Sequence, residues 1–135
     1  MIQNAPDPPV LTVFYNGSCP LCRTEINHYK KRADKYHVEG LLWVDVTQQP
    51  NSLASFGVDD DGVIRRLHAS DGDGSLFSGV DAFIAVWQLI PGYQWIAALA
   101  SFPIIRTIAD LLYNRLLAPG IYRWNKAKGR VPPSA

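Results

Sequence analysis

The chain has 135 residues, 47% hydrophobic and 19% charged, which fits one folded domain and excludes disordered and collagen-like classes. Thirteen Lys and Arg against twelve Asp and Glu leave a formal charge of +1, so nucleic acid and acidic polymers are not expected as partners. The basic groups Lys30-Lys31-Arg32 and Lys126-Ala127-Lys128-Gly129-Arg130 are short and read as a solvated helix face and a fraying tail.

In chain order, residues 1–9 hold neither a basic stretch nor an apolar run, so no secretory signal is read there. Pro6-Asp7-Pro8-Pro9 reads as part of a disordered lead-in. Residues 11–15, Leu-Thr-Val-Phe-Tyr, are apolar, β-branched and aromatic, and stop at Asn16-Gly17: a buried strand entering a turn. Pro20 follows where a first helical turn tolerates its missing N–H. Cys22, Ile26, Tyr29, Ala33 and Tyr36 then recur at helical spacing, with Arg23, Asn27, Lys31 and Asp34 opposite, and Gly40 marks the exit. Residues 41–46 are a second buried strand, continuous in the manner of parallel strands, and strand–helix–strand implies a right-handed parallel crossover.

Residues 51–56 predict a short helix ended by Gly57. Residues 63–78 read as two strands around Asp71-Gly72-Asp73-Gly74, a strong hairpin signal. Val80, Phe83, Ile84, Trp87 and Ile90 form another helical stripe, closed by Pro91-Gly92. Residues 93–126 predict two or three helices broken at Pro103 and at Pro119-Gly120. The most apolar part, residues 95–117, is interrupted by Pro103, Arg106, Asp110 and Arg115. No window approaches ~20 uninterrupted apolar residues, so no transmembrane span is read and the expected location is cytoplasmic. The helices after Trp95 are expected to pack on the sheet, form a dimer contact or lie on a membrane surface. The order βαβ, linking helix, ββα is thioredoxin-like, with a C-terminal helical extension. Residues 10–126 then form the single domain and residues 127–135 a flexible tail.

Cys19 and Cys22 are the two cysteines of the chain. A bridge between them closes almost no loop, so it adds little stability through chain entropy and calls for a chemical explanation. Both fall at the start of the first helix, where unpaired N–H groups and the positive end of the dipole favour an anion. A thiolate is the nucleophile of disulfide exchange, and this setting lowers a thiol from roughly 8.5 toward about 3.5–7.5. Cys19 is expected to be the more exposed residue and to attack. Cys22, on the apolar face, is expected to resolve the mixed disulfide. One cysteine pair supplies half of a four-ligand zinc site, and His28, His37 and His68 lack ligand spacing relative to it, so no metal is assigned. Asp45, at the end of the second strand, reads as a capping carboxylate or as a proton acceptor for Cys22. Glu25 reads as a first-turn acid, and Trp87, Trp95 and Trp124 as packing anchors.

Tyr15-Asn-Gly-Ser-Cys-Pro-Leu-Cys22, with Glu25 and Ile26, resembles the DCC family (DUF393) of predicted thiol–disulfide oxidoreductases. Leu67-His68, residues 79–83 (Gly-Val-Asp-Ala-Phe), residues 90–95 (Ile-Pro-Gly-Tyr-Gln-Trp) and residues 112–115 (Leu-Tyr-Asn-Arg) are also similar to that family. The resemblance spans roughly residues 10 to 125 and implies a thioredoxin-like fold and redox activity with Cys19 and Cys22 as the catalytic pair. The family carries an Asp where this chain has Asn16. Asn keeps the turn-forming oxygen, here for the Gly17-Ser18 turn before Cys19, but carries no charge. Thioredoxins also resemble one another in a proline facing the redox pair, and residues 57–69 contain none, so substrate docking is expected to differ. The implied function is thiol–disulfide exchange without metal or organic cofactor, on a disulfide- or thiol-bearing substrate, with an electron donor such as a small thiol or a reductase. The alternative is a non-enzymatic, partner-binding redox sensor of the same fold.

Overall fold

A computed structural model describes residues 10–129. The lead-in expected over residues 1–9 and the tail from residue 130 onward lie outside the described residues. β1 (Leu11–Tyr15) is buried along its whole length, because it is the central strand with helices on both faces. Alternate side chains serve the two faces. Leu11, Val13 and Tyr15 enter a core with Ile26, Tyr29, Ala33, Ala82, Val86 and Ile90, while Phe14 packs with Val44, Val46, Leu53 and Val63 on the other side.

α1 (Pro20–Lys35) leads to β2 (Leu41–Asp45), which pairs parallel with β1 in the register Leu11–Leu41 to Tyr15–Asp45. The chain turns between them at Gly40, whose φ of 83° is the left-handed conformation glycine adopts freely. The expected helix stripe holds through Ala33, but Tyr36 sits at the helix end and is exposed, stacked under Arg32 and Lys35. Residues 51–56 form a turn and a single 3-10 turn, Ala54–Phe56, closed by Gly57.

The hairpin is present, but its first strand is shorter than expected. α2 (Asp60–Arg65) occupies the start of that segment, and only β3 (His68–Asp71) and β4 (Leu76–Ser78) are extended. The β-branched pair Val63-Ile64 favours a strand locally. The Asp59 side chain decides otherwise by accepting from Gly62 N–H at 2.9 Å, and Arg65 pairs with Asp61 one turn back at 2.6 Å. In the turn, Asp71 Oδ1 accepts from the N–H groups of Asp73 and Ser75. The sheet order is β2-β1-β3-β4, with β3 antiparallel to both neighbours. A mixed four-stranded sheet with βαβ and ββα halves is the thioredoxin-like arrangement.

α3 (Val80–Leu89) completes the core beside α1. The extension packs on α3 rather than on the sheet: Ala97 and Ala100 of α4 (Gln94–Ala100) meet Val80 and Ile84. α5 (Pro103–Leu112) continues through a π-helical turn, Tyr113–Leu117, into α6 (Ala118–Ala127). No break occurs at Pro119-Gly120. Proline lacks an N–H and would leave a carbonyl unpaired in a regular helix. The widened turn, with Ala118 N–H donating to Tyr113 O, carries the chain past it. Trp95, Phe102, Ile104, Ile108 and Leu116 remain exposed on the outer side of this extension. No single helix among the described residues is long and apolar enough to cross a membrane; α4 and the helix from Pro103 to Ala127 meet that length and composition only as a pair bent by 94°.

Candidate active site: a cysteine pair at the start of α1

The turn from β1 into α1 is fixed by two side chains. Asn16 Oδ1 accepts from Ser18 N–H at 3.0 Å, and Asp45 Oδ1, from the neighbouring strand, accepts from Gly17 N–H at 3.0 Å. Thr47 donates to the same Asp45 oxygen from its N–H at 2.9 Å and its hydroxyl at 2.6 Å. Asp45 therefore serves the turn. A Cβ on Gly17 would overlap the Asp45 carboxylate, so only glycine lets the two segments approach this closely. Arg23 Nη1 closes the turn from above by donating to Gly17 O at 3.1 Å.

This turn delivers Cys19 to the N-cap of α1, with φ −82° and ψ 118°, and Pro20 begins the helix proper. The Cys19 sulfur does what a Ser or Asp oxygen does at other helix starts: it accepts from Cys22 N–H at 3.3 Å. Burial alone raises the Cys19 thiol. Hydrogen bonds from the Cys22 side chain and N–H, the Asn125 side chain and Leu21 N–H outweigh it and leave the thiol below its ordinary value. Cys22 moves the other way. Burial, the hydrogen bond it shares with Cys19 and the nearby charges of Cys19 and Glu25 all raise it. The two thiols are therefore unequal, Cys19 the more acidic and Cys22 the less.

Exposure runs opposite to the sequence expectation. Cys19 has no exposed surface, whereas Cys22 is half-buried and lines a cavity. α6 packs on α2 and sets Asn125, itself 1% exposed, against the Cys19 sulfur. Nothing in the local sequence around the cysteines announces Asn125. Glu25 lies in the second turn of α1 rather than the first, and accepts from Tyr29 Oη at 2.6 Å. Tyr29 Oη in turn accepts from Trp87 Nε1 at 3.0 Å, so Trp87 anchors this carboxylate as well as packing. The π-helical turn adds Tyr113, whose oxygen accepts from Leu67 N–H at 3.2 Å, and Asn114, which accepts from Arg66 Nε at 2.8 Å.

A thioredoxin-like sheet, a Cys-x-x-Cys pair at the first helix start and unequal thiols define the thiol–disulfide oxidoreductase class of proteins. The profile of the DCC1-like thiol-disulfide oxidoreductase family matches residues 13–127, and the chain belongs to that family. An uncharacterized chloroplastic protein of Arabidopsis thaliana is 30% identical over 105 residues, covering 77% of this chain and 48% of its own. The chain thus spans about half the length of that relative. No solved structure matches the chain.

Proposed function

We propose that the protein catalyses thiol–disulfide exchange, with Cys19 as nucleophile and Cys22 as resolving thiol. The observation that carries this reading is the Cys19 sulfur acting as N-cap acceptor for Cys22 N–H at 3.3 Å, where a thiolate is stabilised and a neutral thiol gains little. Cys19 attacks one sulfur of a substrate disulfide and expels the other half as a thiolate. Cys22 then gives up its proton, attacks the Cys19 sulfur and releases the second half, leaving a Cys19–Cys22 disulfide. A donor of the thiol class returns the pair to the dithiol. Because the Asn125 side chain of α6 lies against Cys19, the cycle includes a local displacement of that side chain, and the substrate arrives through the cavity that Cys22 lines.

The test joins a redox titration to a turnover assay. The pair is expected to exchange two electrons as a unit against a thiol buffer, and the reduced protein to accelerate reduction of 2-hydroxyethyl disulfide with dithiothreitol as donor. A pair that titrates while the disulfide rate stays at the uncatalysed level would identify a redox sensor and overturn the catalytic reading.

A further inference from the structure

Cys22 lines the inner of two cavities that share a wall. The inner one, about 70 Å³, is lined by Cys22, Asn16, Glu25 and Tyr113 together with Arg65 and Arg66. The outer one, about 290 Å³, is lined by Arg65, Arg66, Tyr122, Arg123 and Lys126. Arg65, Arg66 and Ala118 belong to both walls. The inner space is the narrower of the two and admits a thioalkyl arm. The outer space suits the rest of a small molecule.

The outer wall is cationic and largely without counter-charge. Arg65 is paired with Asp61 at 2.6 Å and lies over the Tyr122 ring. Arg66 donates through Nε to the neutral Asn114, and neither it nor Arg123 nor Lys126 has an ion pair among the described residues. Three unmatched positive charges on a concave wall focus the field and draw anions inward. The inner cavity offers a second, independent sign. Ser18 N–H fixes Asn16 with its oxygen toward the turn, which leaves Nδ2 buried and without a hydrogen-bond partner among the described residues. A buried donor of that kind is costly until an acceptor meets it.

We propose that the two cavities bind an anionic disulfide, one whose arms carry carboxylates: a sulfur reaches the cysteine pair through the inner cavity, and carboxylates rest against Arg66, Arg123 and Lys126. This rests on the exchange reading above and names its substrate class. The protein dithiol is oxidised by two electrons to the Cys19–Cys22 disulfide. The substrate S–S bond is reduced, and its two halves leave as thiols carrying the two protons that the cysteines gave up. A dithiol donor resets the protein.

The experiment compares three disulfides of like sulfur chemistry and different charge: 3,3′-dithiodipropionate, 2-hydroxyethyl disulfide and cystamine, with dithiothreitol as donor. The expected order of kcat/KM is dianionic over neutral over dicationic, with about a tenfold advantage for the dianion over the neutral compound, within the range such fields produce. Salt is expected to compress the order. In the double variant Arg123→Gln with Lys126→Gln, the dianion-to-neutral ratio is expected to fall by about tenfold. A Lys31→Gln variant, on an exposed face of α1 outside both cavities, is expected to leave that ratio where it was. Equal kcat/KM for all three disulfides, or a ratio unmoved by the double variant, would overturn the anion site while leaving exchange intact. Absence of turnover on all three would overturn the exchange reading and this inference with it.

Discussion

Cys19→Ser is expected to abolish disulfide turnover, by about 10³-fold or more, because a serine hydroxyl stays protonated where the thiol ionises. Cys22→Ser is expected to fail differently. It keeps the nucleophile, and its hydroxyl can still donate toward the Cys19 sulfur, so the first exchange proceeds. The second does not, and a mixed disulfide through Cys19 accumulates in stoichiometric amount. Intact-mass analysis under non-reducing conditions distinguishes the two, since only Cys22→Ser gains the mass of one substrate half. A stable adduct in Cys19→Ser and none in Cys22→Ser would reverse the roles.

The second large effect is expected at Asn125, which carries the link between the C-terminal helix and the chemistry. Its side chain donates to the Cys19 sulfur from a site with 1% exposure. A hydrogen bond to a charged group is worth about 1.5–3 kcal/mol, and each 1.4 kcal/mol is tenfold in an equilibrium. Asn125→Leu keeps the side-chain bulk and removes the donor. It is expected to raise the Cys19 titration and lower the thiolate fraction near neutral pH by about tenfold or more. Asn125→Ala adds a packing loss to the same change, with a lower melting temperature as its mark. An unchanged Cys19 titration in Asn125→Leu would make Asn125 a packing residue only.

The central sheet was legible because each of its elements carries its own local signal. The unbroken apolar run of β1, the 3.6-residue stripe through Ile26, Tyr29 and Ala33, and the Asp71 turn each have one stable solution. The start of the hairpin departs from expectation because the Asp71 turn signals a hairpin without fixing where its first strand begins, and the Asp59 cap three residues ahead of Gly62 sets a helix there. Pro119 misled for a related reason. A proline ends a regular helix, and the π-helical turn that admits it depends on the whole helix from Pro103 onward.

The site divides in the same way. Cys19, Cys22, Asn16, Gly17 and the Asp45 contact follow from strand ends that a βαβ unit must bring together. The Asn125 bond to Cys19 and the cationic wall of Arg66, Arg123 and Lys126 arise only when α6 packs on α2. Sequence periodicity places a helix; it does not say which earlier element that helix will cover.

Unequal thiols underlie the chemistry, and the rate of iodoacetamide alkylation against pH measures this directly in Cys22→Ser and Cys19→Ser. Displacement of the Asn125 side chain scales the absolute rate of Cys19 alkylation, so the midpoint is the informative quantity. The Cys19 pKa is lowered in the fold, so its thiolate forms as pH rises through a midpoint below that of an ordinary thiol, and Cys22 is held above it. The expected result is a Cys19 midpoint below that of free cysteine measured in the same buffer, and a Cys22 midpoint above it. Equal midpoints at the ordinary value, or a depressed midpoint at Cys22 instead, would contradict the account.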